Sequence, residues 1–221
     1  MKRPKQVLVI DVGGTHVKVL ATGHRKKREF ESGPKLGPRE MVAHVRELTR
    51  DWRFDAVSIG YPGPAHGGRP VADPHNLGPG WVRFDFRRAF AKPVHLMNDA
   101  AMQALGSYEG GRMLFLGLGT GMGSALVVDG VVEPLELAHL PYKNGKTFED
   151  YVGERGLVRL GWHHWHRAVH DVVDRLAAAM QVEYVVLGGG NARLVKRLPK
   201  HTRRGDNHNA FRGGYRLWET R

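Results

Sequence analysis

The chain has 221 residues, with 34 Lys and Arg against 22 Asp and Glu, a net charge of +12 and a pI of about 10.2. That length buries a core and falls between one domain and two, and the charge points either to anionic partners in general or to a solubilising excess of surface cations. The lack of cysteine excludes disulfides, thiolate catalysis and a cysteine-based zinc site and leaves the cytoplasm as default compartment; no signal-peptide pattern and no apolar run of membrane-spanning length is present.

Residues 7–10, Val7-Leu8-Val9-Ile10, form the continuous apolar run of a strand covered on both faces, and residues 17–20 read as a second strand. Between them stand Asp11, Gly13, Gly14 and Thr15. The glycines can take positive φ and bring an anion close to backbone N–H donors, with Thr15 offering a hydroxyl and Asp11 a carboxylate for a hydrated cation. Equally, Gly-Gly is ordinary hairpin chemistry. A basic turn at 23–28 leads to a third strand at 29–32, completing a meander. Pro38 opens a helix to about residue 50 with Met41, Val42, Val45 and Leu48 on one face. A strand at 56–59 runs into Gly60-Tyr61-Pro62-Gly63-Pro64, too rich in Gly and Pro to continue a sheet. The long polar segment 66–81 carries Asp73, His75, Asn76 and Trp81, and loops of that length in a compact domain tend to be functional.

A strand at 94–97 leads into Asn98 and Asp99 and a helix over about 100–108. Asp99 thus sits at a helix N-terminus on a strand's carboxyl edge, either as an acid stabilising its helix or as a proton acceptor or cation ligand. Strands at 113–118 and 125–128 flank Gly119-Thr120-Gly121-Met122-Gly123-Ser124, a second phosphate-type turn. Its strand, turn, strand order differs from dinucleotide and P-loop fingerprints. Glu136 and His139 follow at i and i+3 without further ligands at zinc spacing. Thr147 opens a helix that Gly153 and Gly156 interrupt. His163, His166 and His170 can share a helix face and read as surface histidines rather than a metal box. An amphipathic helix continues through Val172, Val173, Leu176, Ala177 and Met180. A strand at 184–187 ends in Gly188-Gly189-Gly190, a basic run occupies 196–204, and the tail closes on Ala210-Phe211-Arg212-Gly213-Gly214. No internal repeat or low-complexity tract is evident.

Taken in this order, the motifs resemble those of the ROK family of sugar kinases, in its polyphosphate glucokinase-like branch, over residues 7–191. Asp11-Val12-Gly13-Gly14-Thr15-His16-Val17-Lys18 resembles the family's first phosphate motif and Gly117-Leu118-Gly119-Thr120-Gly121 its second. Asn98-Asp99 resembles the sugar-binding asparagine and the aspartate base. Gly63 and Asn76 lie in segments like those of the sugar pocket. Glu136-Leu137-Ala138-His139 is similar to the Glu-Leu-Gly-His that contacts the sugar, and Glu149 fits a later sugar-holding glutamate. Leu187-Gly188-Gly189-Gly190 resembles the adenosine segment.

The resemblance implies an actin-like ATPase (ribonuclease H-like) α/β fold of two lobes, 1–97 and 98–221, with mixed sheets and a cleft between them. It implies a glucokinase acting as a homodimer without specific nucleic-acid or membrane partners, using Mg²⁺ anchored by Asp11 through water and ATP or polyphosphate as donor. Asp99 is then the base; Gly63, Asn76, Asn98, Asp99, Glu136, His139 and Glu149 hold the sugar; Asp11, Gly13, Gly14, Thr15, Lys18, Gly119, Thr120, Gly121, Gly188, Gly189 and Gly190 hold phosphate or nucleotide. The family's cysteine-rich zinc loop is replaced by cysteine-free residues 140–148, so no zinc site is expected. Only 31 residues follow Gly190, fewer than ATP-dependent members carry, and the runs at 25–28 and 196–204 offer a cationic track for polyphosphate. The alternatives are an ATP-dependent kinase for another hexose or an N-acetylated amino sugar, or a non-catalytic sugar sensor. Six residues ahead of the first strand leave no room for the helix-turn-helix of the family's repressors.

Overall fold

A computed structural model describes residues 5–206 and 208–219. The chain divides into two compact units, Met1–Met102 with Ala210–Arg221, and Gln103–Asn209. The break falls five residues after the boundary expected from sequence, and the tail returns to the first unit.

The first unit holds β1 (Val7–Val12), β2 (His16–Ala21), β3 (Arg28–Glu31), α1 (Pro38–Leu48), β4 (Ala56–Tyr61), the short pair β5 (Ala65–His66) and β6 (Arg69–Pro70), α2 (Phe86–Phe90), β7 (Val94–Asn98) and the start of α3 (Asp99–Ser107). Its sheet has the order β3-β2-β1-β4-β7, with β1 antiparallel to β2, β2 to β3, and β1, β4 and β7 parallel. Side chains alternate across a strand, so the two faces of β1 explain its unbroken apolar run. Leu8, Ile10 and Val12 enter a core with Met41, Val45, Ile59, Trp81 and Leu96, whereas Val7 and Val9 pack with Ala56, Met102, Ala210 and Phe211.

In the second unit β8 (Arg112–Leu118), β9 (Met122–Val128) and β10 (Val131–Leu135) form an antiparallel meander. A 3₁₀ turn (Leu137–His139), α4 (Phe148–Val152), α5 (Glu154–Met180), β11 (Tyr184–Gly188), a second 3₁₀ turn (Gly190–Leu194) and β12 (Thr202–Arg204) follow. The sheet order is β10-β9-β8-β11-β12, with β8, β11 and β12 parallel. Each unit therefore has the same hydrogen-bonded plan, a three-stranded meander extended by two parallel strands. That repeat is invisible in the residues because it resides in strand order.

One helix expectation is corrected. Thr147 caps α4 in a reciprocal capping box with Asp150, and Gly153 ends it. Gly156, however, lies inside α5, where a Cβ would meet the Asp150 carbonyl oxygen at 2.9 Å and Tyr151 more closely still. The break comes instead at Gly161, whose φ of 69° lies outside the helical region. Beyond it Trp165, Val169, Val172, Val173 and Leu176 pack on Leu114, Leu116 and Leu187.

The tail forms α6 (Asn209–Arg216). Gly214 lies so close to β1 that a Cβ would stand 2.7 Å from Val9 Cγ2. Ser58, a hydroxyl in the otherwise apolar β4, is fully buried. It donates to the Gly214 carbonyl at 2.6 Å and accepts from Trp218 Nε1 at 2.8 Å. A buried hydroxyl without a partner is costly, and the tail supplies the partner. No helix among the described residues is long and apolar enough to cross a membrane.

Candidate active site

Because β1, β4 and β7 run parallel, their carboxyl ends share one edge of the first sheet, where open α/β sheets receive ligands. At that edge stand the turn after β1, the loop holding Gly63, and the pair Asn98 and Asp99. Asp11 is in register with Gly60 on one side and Lys18 on the other, and a Cβ on Gly60 would lie 3.6 Å from the Asp99 Cα. Asp11 and Asp99 thus flank Gly60. The Asp11 carboxylate takes no hydrogen bond or ion pair among the described residues. Burial pushes its pKa up, opposed by the charges of Lys18 and Lys27.

Gly13 and Gly14 do not use the left-handed region foreseen for them: neither has positive φ. Space demands glycine here. A Cβ on Gly13 would stand 2.9 Å from the His16 carbonyl oxygen, and one on Gly14 would stand 3.3 Å from Asn76 Cβ. Asn76, 62 positions away in sequence, is thereby brought against the turn. The Gly13 N–H donates to His16 O at 3.0 Å, whereas the N–H groups of Gly14 and Thr15 have no partner among the described residues. Such a pair is what an anion requires.

Asn98 is tied at both ends: its Oδ1 accepts from the Ala101 N–H at 3.1 Å, capping α3, and its Nδ2 donates to Gly63 O at 3.1 Å. One N–H and one lone pair remain for a ligand. Asp99 occupies the first turn of α3, its Oδ1 accepting the Ala100 N–H at 2.8 Å. The long polar segment is organised by its own residues. Asp73 accepts from the Gly80 and Trp81 N–H groups at 3.1 and 2.8 Å, which holds its pKa down, and Trp81 is fully buried.

In the second unit, β8 and β11 end side by side, so the second and third glycine clusters adjoin. Gly189, at φ 77°, leaves no space for a Cβ, which would stand 2.7 and 2.8 Å from the Leu118 carbonyl carbon and nitrogen. Gly188 rests on the Phe115 ring. The Gly119 carbonyl accepts from Glu154 N, at the start of α5, at 2.9 Å and from Asn191 Nδ2 at 3.3 Å. Glu149 reaches this turn: its Oε2 accepts the Met122 N–H at 3.4 Å and fills the space a Cβ on Gly121 would need. β10 runs in the same direction as β8, which carries Glu136 to the same edge. Glu136 and His139 are exposed, 3.8 Å apart. Ser124, expected at the end of the second glycine turn, lies instead in β9, where its hydroxyl donates to Leu135 O at 2.8 Å and accepts the Leu137 N–H at 3.2 Å, pinning the Glu136 segment to β9.

No family model matches the chain. The solved inorganic polyphosphate/ATP-glucomannokinase from Arthrobacter sp. strain KM superposes with a TM-score of 0.81 at 21% identity, covering 96% of this chain and 98% of that one. The ROK family glucokinase from Streptomyces griseus, solved with glucose and AMPPNP, gives 0.78 at 14% identity over 96% and 99%. The chain has the fold of the ROK sugar kinases. Among curated proteins, the glucokinase of Pyrobaculum calidifontis is 28% identical over 131 residues, 57% of this chain and 44% of that protein. The chain therefore matches less than half the length of that relative.

Within this ROK-type fold the basic runs are partly consumed by structure. Arg28 pairs with Asp51 and lies over Trp52, Lys27 pairs with Glu29, and Lys196 lies over Trp162. Arg203 pairs with Glu109, and Arg204 donates to the Ala192 and Val195 carbonyls at 3.2 and 2.7 Å. Arg25, Lys26, Arg193, Arg197 and Lys200 make no ion pair among the described residues. Of the histidines, His163 is exposed, while His166 and His170 are half-buried with rings 4.6 Å apart. Burial, then the neighbouring His170, pushes the His166 pKa down. Among the described residues no group of three or more His, Asp or Glu side chains is placed to hold a metal. A cavity of about 860 Å³ between β3 and α1, lined by Phe30, Glu31, His44, Leu48 and others, contains none of the predicted site residues.

Proposed function

We propose that the chain is a ROK-family sugar kinase transferring a phosphoryl group from ATP or polyphosphate to the 6-hydroxyl of glucose. The observation that carries this reading is the carboxyl edge of the first sheet, where Asp11, the Gly13-Gly14-Thr15 turn, Gly63, Asn98 and Asp99 gather. The relatives named above, a glucomannokinase and two glucokinases, supply the substrate class.

Phosphoryl transfer passes through a loose transition state, so the protein's task is to position the reactants and neutralise charge on the equatorial oxygens. Asp99 orients the sugar hydroxyl and accepts its proton late, which needs no strongly raised pKa. Asn98, held by its cap and by Gly63, presents its remaining N–H to a sugar hydroxyl, and Asn76, Glu136, His139 and Glu149 serve the others. A site that hydrogen-bonds each hydroxyl discriminates against analogues lacking one. The free N–H groups of Gly14 and Thr15, with Lys18 and the Gly119-Thr120-Gly121 and Gly188-Gly189-Gly190 turns, receive the donor. Asp11 fits Mg²⁺ in a limited way: one unpartnered, largely buried carboxylate facing a lysine makes no metal cage, but it suits a hydrated ion that draws its other ligands from water and phosphate. The chemistry that ion supplies when bound is charge neutralisation at the donor.

The structural engagement of Arg28, Arg203 and Arg204 thins the cationic track and favours ATP as donor; the unpaired Arg25, Lys26, Arg193, Arg197 and Lys200 favour polyphosphate. A coupled assay of glucose 6-phosphate formation with each donor, across a panel of hexoses and N-acetylated amino sugars, tests the reading. Phosphorylation of no sugar by either donor refutes it. Salt inhibition confined to the polyphosphate reaction would assign the unpaired cations to that donor.

A further inference from the structure

We infer that Ser32, the residue after β3, is a positioning residue for the phosphoryl donor at the first glycine turn; the inference rests on the kinase reading above. Ser32 grips the turn at both ends. Its hydroxyl donates to the Gly13 carbonyl at 2.6 Å, and its own N–H donates to the Thr15 carbonyl at 2.9 Å. The amide joining Gly13 to Gly14 is planar and trans, so its C=O and N–H point to opposite sides. A hydroxyl that fixes the Gly13 carbonyl therefore also fixes the direction of the Gly14 N–H, turning it away from β3. The second bond holds the Thr15 carbonyl and so confines the peptide between, which carries the Thr15 N–H. These two N–H groups have no partner among the described residues, whereas the remaining donor of the turn, the Gly13 N–H, is taken up by His16 O at 3.0 Å.

Two glycines in succession have the widest backbone freedom of any dipeptide, and in a binding turn that freedom must be lost either on folding or on each binding event. Ser32 moves the loss to folding. A donor phosphate then meets N–H groups already aimed, the condition under which hydrogen bonds contribute most to transfer. The neighbouring peptides show the same economy. Asn76 closes the open side of Gly14, so the turn is held by Ser32 at its carbonyls and bounded by Asn76 at its Cα.

A merely structural role, closing the meander, would alter stability and leave the two substrates equally affected. The positioning role separates them. Ser32→Ala should raise the donor KM about tenfold, the worth of one hydrogen bond to an anion-binding turn, and leave the sugar KM unchanged. Ser32→Thr keeps the hydroxyl and should restore the donor KM. An unchanged donor KM in Ser32→Ala, an equal rise for sugar and donor, or a Ser32→Thr variant as weak as Ser32→Ala overturns the inference while leaving the kinase reading intact. A wild-type protein that phosphorylates no sugar overturns both. Independently of any variant, titration of the wild-type protein with Mg²⁺ and tripolyphosphate should shift the backbone amide resonances of Gly14 and Thr15, and unmoved resonances at saturation overturn the inference.

Discussion

Replacing Gly189 by alanine tests whether the third glycine cluster is a structural rest for the second. Gly189 has φ 77°, and its missing Cβ points at the backbone of Leu118, 2.7 Å from the carbonyl carbon and 2.8 Å from the nitrogen. An alanine there costs about 1–3 kcal/mol, because φ 77° with ψ 166° is a backbone region essentially reserved for glycine. It adds about 1–3 kcal/mol of overpacking, since a β-strand backbone cannot swing aside as a side chain can. The sum, about 2–6 kcal/mol, corresponds to a melting point lower by roughly 5–20 °C in a chain of this size. Leu118 immediately precedes Gly119, so the displaced strand carries the second turn with it, and the donor KM should rise as the protein destabilises. The assay is thermal unfolding by circular dichroism, paired with donor kinetics below the transition. A variant melting within about 2 °C of wild type would refute the close approach from which the magnitude is built.

Asp99→Asn should lower kcat by about 10²–10⁴ while sugar binding, read by calorimetry, stays measurable; near-full activity removes Asp99 from the role of base. Gly121→Ala should leave the melting point almost unchanged, because its Cβ meets the far end of the flexible Glu149 side chain, yet lower kcat/KM about tenfold or more by moving that carboxylate. Unaltered kinetics would show that the Glu149 contact is idle. Asp171 is held down to about 2 by Lys143, then Tyr142 and Arg175. Its folded-state pKa lies below the unfolded value, so its contribution is complete above about pH 4 and disappears as pH falls through about 2. After discounting for solvent screening of a side chain one-third exposed, that contribution is about 1 kcal/mol. Asp171→Asn should flatten this acid limb in denaturant titrations between pH 4 and 2, and an unchanged limb would dissociate the ion-pair cluster from acid stability.

Much of the fold was legible because it was written in period and punctuation. The unbroken run at 7–10 announced a strand buried on both faces, and Val7 and Val9 do face one core while Leu8 and Ile10 face another. Three glycine clusters and Asn98-Asp99 at strand ends pointed to a carboxyl edge, and parallel pairing brings the strand ends of each sheet to one edge. The tail was illegible for a physical reason. Gly213 and Gly214 lower helix propensity, yet α6 needs the bare Gly214 backbone to approach Val9, and tertiary packing outweighs propensity. Gly156 and Gly161 are indistinguishable in sequence; only the first is crowded and only the second bends the helix. The roles of Ser32, Ser58 and Ser124 were missed because a serine's importance lies in the carbonyl it finds, which no local pattern encodes.

The return of α6 to the first sheet has a consequence for synthesis. The second unit is one continuous stretch, Gln103–Asn209, inserted into a first unit that resumes at Ala210, the second residue of α6. A chain emerging N-terminus first therefore finishes the inserted half before the half that began it. Until α6 has been translated, Val7 and Val9 lack Ala210 and Phe211 above them, and Ser58 lacks both its acceptor and its donor. Nascent chains stalled before residue 210 would expose an apolar sheet face, the surface that chaperones bind.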